Sequence, residues 1–234
     1  MDALFAVQDE DTIVRQLRHR HANLPERRAL VDAEAMVVAT AAQVEEHKVS
    51  HLDLFRRQRR YEGEVAAVED RLGELDTLLY GGSVTSPKEA VAIQTEISHL
   101  RERLDSLEGT VLEVMEELEP VERLIADLDV RGVEEASVVE HCRGELLAAE
   151  AVVDADVAQA NERRSAAAEQ VDHDVLARYD RAAAGLGAST VVHFAGSNCT
   201  GCPYSMPAVE ADRVRALAEG TLAECNECGR LVVR

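Results

Sequence analysis

Apolar residues in this chain recur at alternating steps of three and four, and that spacing admits few folds. Tyr61, Val65, Val68, Leu72, Leu75 and Leu79 step by 4, 3, 4, 3, 4, and Ile93, Ile97, Leu100, Leu104, Leu107 and Val111 do the same. A helix turns once every 3.6 residues, so this repeat keeps one thin apolar stripe on one side, the seam of a coiled coil. A third run, Val139, Cys142, Leu146, Ala149, Val153, Val157 and Ala160, keeps the pattern with one slip, since the strict position is Asp156. Its side chains are smaller, which lets helices approach closely.

The first two runs are separated by Tyr80-Gly-Gly-Ser-Val-Thr-Ser-Pro-Lys-Glu89. Gly81 and Gly82 stop a helix, Ser86 can cap the next, Pro87 suits its first position and Glu89 completes a capping box. A turn at about 80–86 between two long seams makes them antiparallel neighbours. The mirrored spacing fits two registers, with either Leu79 or Leu72 opposite Ile93. Asn23-Leu-Pro25-Glu26 separates a short helix, about 9–22, from the first long one. Pro120 is expected to kink the second helix and Gly132 to loosen it. Leu107, Val111 and Met115 step by four and four, a stutter that locally unwinds a supercoil. The arm after the turn outruns the arm before it, and Ala182–Ala188 reads as a helix end and hinge.

Four cysteines follow in the last 36 residues, as Cys199-Thr-Gly-Cys202 and Cys225-Asn-Glu-Cys228 with 22 residues between the pairs. Cys-x2-Cys sets two sulfurs on one tight turn, and two such turns can close a tetrahedral thiolate site. Gly229 can take the positive φ that lets the chain leave a metal, and Pro203 stiffens the exit from the first turn. With all four positions filled by cysteine, the reading is one closed, structural Zn²⁺ on Cys199, Cys202, Cys225 and Cys228. Iron in the same cage or a redox dithiol is the alternative. Val191 and Val192 stand in an apparent strand, Thr190–Phe194, that leads into the first pair, and Leu231–Val233 reads as a strand leaving the second. Pro207–Ala218 is a short helix or a covering loop. The division expected is therefore a coiled-coil helical hairpin, 1–185, and a C4 zinc ribbon, 186–234. The fold class is mainly α, with a small C-terminal β zinc ribbon.

Composition supports this and excludes much else. With 45 acids, 25 bases, no Trp and only 3 Phe, the chain suits long two-sided helices with a thin buried seam rather than a thick core. Arginine almost wholly replaces lysine, a mark of a GC-rich bacterial genome. The net charge of −20 opposes nucleic acid as a partner and favours basic ones. No apolar run approaches the ~20 residues that span a bilayer. The N-terminus lacks the basic region of a secretory signal, and paired Cys-x2-Cys fits a reducing cytoplasm. No phosphate-cradling glycine loop, H-E-x-x-H or nucleophile elbow is present, so no enzyme activity is expected.

Lesser features each have a plain reading. Arg56, Arg57, Arg59 and Arg60 form a basic cluster that can contact RNA; in either register it also faces acids, Asp105 and Glu108 or Glu113 and Glu116, and interhelical pairing is preferred. Arg15, Arg18, His19, Arg20 and His21 form a second cluster. His47 and His51 lack a third ligand and read as a seam-edge pair. Cys142 falls on the seam as a small apolar side chain. Residues 113–129 hold seven acids against Arg123 alone, a solvated face or a dock for something basic. Tyr204, Met206 and Pro207 are either a docking patch or the ribbon's own small core.

Leu79–Glu89, Gln94-Thr-Glu-Ile97, Leu112-Glu-Val-Met-Glu116 and the two cysteine pairs running on to Leu231 resemble the bacterial C4-type zinc-ribbon proteins with a long coiled-coil hairpin. The resemblance implies an elongated cytoplasmic protein. Some members act as adaptors that bind an alternative sigma factor, export components or messenger RNA. Only the four zinc ligands carry over by position. The function expected is a non-enzymatic adaptor that presents a zinc ribbon to a protein partner, as an elongated monomer. The alternative is direct binding of RNA or DNA by the ribbon and the arginine clusters.

Overall fold

The computed structural model describes residues 1–203 and 205–234. Helices α1 (Asp2–Ala22), α2 (Pro25–Tyr80), α3 (Pro87–Ala168) and α4 (His173–Leu186) precede strands β1 (Val191–Ala195) and β2 (Asn198–Cys199). Helix α5 (Ala208–Arg215) and strands β3 (Leu222–Glu224) and β4 (Leu231–Val233) complete the chain. It is a long antiparallel helical hairpin with a small C-terminal sheet. Contacts group it into two compact units, Val31–His141 and Met1–Leu30 with Cys142–Arg234. This grouping follows contacts, whereas the division at 185 follows motifs.

In the unit Val31–His141, α2 and α3 meet along an uninterrupted heptad seam. On α2 the inward positions run from Ala33 through Thr40, Val44, Val68 and Leu75 to Leu79. Gly82 takes φ +80° in the turn, and Pro87 opens α3 as its first residue. Leu75, Ile93 and Ile97 form a buried cluster with Leu72, Leu79, Val84 and Leu100 around it. A Cβ on Gly132 would lie 3.9 Å from Thr40 Cγ2. Counted by equal distances along both helices, that neighbourhood sets Leu79 opposite Ile93 and removes the register with Leu72.

One expectation for α3 is corrected. The stutter does not occur: Val114 is fully buried and Met115 is 46% exposed, so the seam runs Leu107, Val111, Val114, Leu118 in unbroken heptads. Burial chose the better-placed residue over the larger one. Pro120 lies inside α3, which continues on both sides of it. The proline is exposed, so the backbone carbonyl that loses its partner faces water. Gly132 occupies a seam position beside Thr40. Glu135, also on the seam, is buried beside Thr40 and Arg131; the Thr40 hydroxyl, then Arg131, outweigh burial and hold its carboxyl below the usual carboxylate range.

In the other unit the helix ends differ from expectation. α1 begins at Asp2, because Leu4 and Val7 are fully buried against Tyr179, Val191, Leu222, Leu231 and Val233. α3 ends at Ala168 rather than near 185, and Asp172 caps a separate α4 by accepting from the Asp174 and Val175 amides at 2.9 and 3.3 Å. The sheet has the order β2-β1-β4-β3, with β1 parallel to β4 and the other neighbours antiparallel. Gln8 locks α1 to β1 twice: its Nε2 donates to the Val191 carbonyl at 3.0 Å, and the Val191 amide donates to its Oε1 at 2.6 Å. Asp11 accepts from Tyr179 Oη at 2.8 Å and Arg164 Nε at 2.7 Å, joining α1, α3 and α4. Burial, then Asp11, pushes the Tyr179 phenol well above its ordinary range. The segment expected as a hinge is therefore packed, with Gly187 at φ +69° ending α4. Among the described residues, no helix is long and apolar enough to cross a membrane.

Candidate metal centre

The strands position the cysteines. β1 and β2 form a tight hairpin in which Phe194 pairs with Cys199. The Thr200 amide and hydroxyl both donate to the His193 carbonyl, at 3.1 and 2.9 Å, and fold the chain back for Cys202. The second pair fills the connection from β3 to β4. The Cys225 amide donates to the Arg230 carbonyl at 2.9 Å, and the Gly229 amide to the Cys225 carbonyl at 2.8 Å. Gly229 takes φ +70°, as its place after the pair requires.

The Sγ atoms of Cys199, Cys225 and Cys228 all lie within 4.8 Å of one another. Cys199 and Cys228 are 3.9 Å apart. Four sulfurs at the usual Zn–S length of ~2.3 Å on a tetrahedron are ~3.8 Å apart, so this spacing fits a thiolate-bound metal. Cys202 packs against the same cluster without joining the close trio. Burial pushes the Cys199 thiol up to about 12 and raises Cys225 as well. At Cys228 burial acts upward too, but hydrogen bonds from the Arg230 backbone and side chain and from the neighbouring thiols bring it down to about 7. The thiolates are thus disfavoured at two of three positions unless a cation compensates.

Residues that the motifs did not reveal brace the site. Glu210 on α5 is buried and accepts from the Asn226 amide at 2.9 Å, holding the second cysteine turn from outside. Asn198 Oδ1 accepts from the Met206 amide at 3.0 Å. A Cβ on Gly201 would sit 2.6 Å from Arg230 Cδ and 2.9 Å from Val192 Cγ1, so the first turn needs glycine for close approach. No local pattern marks Glu210, since its partner lies in a distant loop.

The other sequence candidates are placed as follows. All four arginines of the 56–60 cluster are ion-paired: Arg56 with Asp53, Arg57 with Glu117, Arg59 with Glu62 and Arg60 with Glu64. His51 meets Glu122 at 3.1 Å, and both His51 and His47 are half-buried at seam positions. In the second cluster Arg15 donates to the Asp11 carbonyl at 3.1 Å and His21 lies 3.6 Å from Asp154. Cys142 is a half-buried free thiol on the seam. Met206 belongs to the core around Cys199 and Cys225, Pro207 is exposed before α5, and Tyr204 lies outside the described residues.

Comparison with known proteins agrees with the fold. Residues 7–187 match the CT398-like coiled coil hairpin domain, a span that ends before the first cysteine pair. The uncharacterized protein Rv2229c of Mycobacterium tuberculosis is 27% identical over 239 residues, covering 99% of this chain and 94% of that protein. A solved structure from Mycobacterium smegmatis superposes with a TM-score of 0.84 at 24% identity, covering 100% of this chain and 97% of the other. CT398 of Chlamydia trachomatis superposes with a TM-score of 0.70 at 18% identity over 99% and 97% of the two chains. With the hairpin matched over most of its length, this chain belongs to the CT398-like coiled-coil hairpin family.

Proposed function

We propose that Cys199, Cys202, Cys225 and Cys228 hold one structural Zn²⁺ and that the protein is a non-enzymatic adaptor. The convergence of three sulfurs, two of them 3.9 Å apart, carries the metal reading. Four cysteine ligands leave no open position for substrate, which favours a structural over a catalytic ion. Cys202, packed against the same cluster, is the fourth ligand of the proposed set. A reducing cytoplasm suits free thiols in this arrangement. The hairpin supports the adaptor reading, since two helices enclose little space for an active site and expose much surface for contact.

Nucleic-acid binding is the weaker reading. Each arginine of residues 186–234 already has a partner: Arg213 meets Glu210, Arg215 meets Asp212, Arg230 donates to the Ser189 carbonyl and Arg234 to that of Leu217. Metal content of the purified protein tests the first half of the proposal. One zinc per chain is expected, falling to near zero in a Cys225→Ser, Cys228→Ser variant; an intact protein that binds no zinc overturns it. For the adaptor role, partners captured by the intact protein are compared with those of that variant. RNA or DNA binding that weakens steeply with salt would replace it.

A further inference from the structure

The hairpin carries an apolar groove along the open edge of its seam. Val65, Val111, Leu112, Met115 and Leu118 line two adjoining hollows of ≈ 390 and ≈ 330 Å³ that share Leu112. Leu112 is 61% exposed and Met115 46%, although Val114 between them is fully buried. The heptads explain this: Val111, Val114 and Leu118 face α2, and Leu112 and Met115 stand one position outside. Most exposed apolar residues on a helix are scattered singly and need no explanation. These form a continuous floor.

The rim is acidic. Glu62, Glu108, Glu116, Glu119 and Glu122 edge the same hollows. Glu119 is paired with Arg123, Glu122 with His51 and Glu62 with Arg59. Glu108 and Glu116 have no cationic partner among the described residues. From Asp105 to Val130 the only base is Arg123. A second copy of this chain would set carboxylate against carboxylate, and nucleic acid would be repelled in the same way. A basic partner satisfies both the floor and the rim.

We propose that this groove binds an amphipathic helix of a partner protein, with apolar side chains on one face and Lys or Arg beside them. Glu108 to Glu122 spans ~21 Å at 1.5 Å per residue, room for about four helical turns. Such a segment sets its i, i+3, i+4 and i+7 residues on Leu112 and Met115 and its cations against Glu108 and Glu116. The proposal rests on the adaptor reading and gives the partner a chemistry, on a surface that contains no cysteine.

The test titrates the full-length protein with a fluorescein-labelled 18-residue peptide of Leu and Lys arranged at helical period, and with a scrambled isomer of identical composition. The helical peptide is expected to bind at least about tenfold tighter than the isomer, with affinity falling as salt rises. Leu112→Glu with Met115→Glu should remove that advantage while helix content, read by circular dichroism, is unchanged. Glu108→Gln with Glu116→Gln should weaken binding and flatten the salt dependence. Cys225→Ser should bind the peptide as the wild type does, which separates this surface from the metal site. Equal affinity for the two isomers, no binding, or a double variant that binds like the wild type overturns the proposal.

Discussion

Two glycines decide whether the sulfurs can meet. Gly201 has no room for a Cβ against Val192 and Arg230, and Gly229 holds a left-handed conformation that costs another residue ~1–2 kcal/mol. Gly201→Val is therefore expected to lower zinc occupancy, checked by metal analysis, more than Gly229→Ala, which should lower unfolding stability by that amount. Protonation matters at the same scale. A thiol raised to about 12, as at Cys199, must lose its proton to become a ligand. Zinc affinity should fall as pH falls, because protons then compete for the same sulfurs. Loading at pH 7 should release protons, because thiols raised as Cys199 and Cys225 are remain protonated until a metal displaces the proton. Calorimetry in buffers of different ionisation enthalpy reads that release, and no buffer dependence would contradict it.

At the scale of the element, one seam residue and one side-chain clamp make the clearest tests. Leu75 is almost wholly buried between Ile93 and Ile97. Leu75→Ala should cost ~2–5 kcal/mol in denaturant unfolding, toward the lower end because a two-helix seam lies close to water. Its exposed counterpart Leu78→Ala should cost little. Gln8→Leu removes both bonds to Val191 and leaves a buried amide and carbonyl without partners, each worth ~1–3 kcal/mol. The surface ion pairs of Arg56, Arg57, Arg59 and Arg60 should each contribute under ~1 kcal/mol, since they are exposed and screened.

At the scale of the whole molecule, each compact unit has its own core, and metal removal should distinguish them. Chelation is expected to raise amide exchange in β1, β3 and β4 and to carry the loss into α1 and α4. Leu4, Val7 and Tyr179 share the core of those strands. Residues 33–139 should keep their protection, because their seam contains none of the site. Equal loss in both units, or protection everywhere, would show that the metal does not organise the C-terminal sheet.

The seam, the turn at 81–86 and the cysteine turns were legible in the sequence because each rests on local geometry: helical period, glycine φ and ligand spacing. The alternation of three and four required coiled-coil helices, and the glycine turn with its capping box folded them into a hairpin. Choosing Val114 over Met115, and Leu79 over Leu72 opposite Ile93, needed the partner helix, since both alternatives satisfy the same local pattern. The Asp172 cap is local as well, a side chain that accepts from amides two and three residues on. Only tertiary structure brought α1 onto the strands, set Glu210 behind the second cysteine turn and left Leu112 and Met115 uncovered. Such pairings join residues far apart in the chain, where spacing carries no information and burial alone decides.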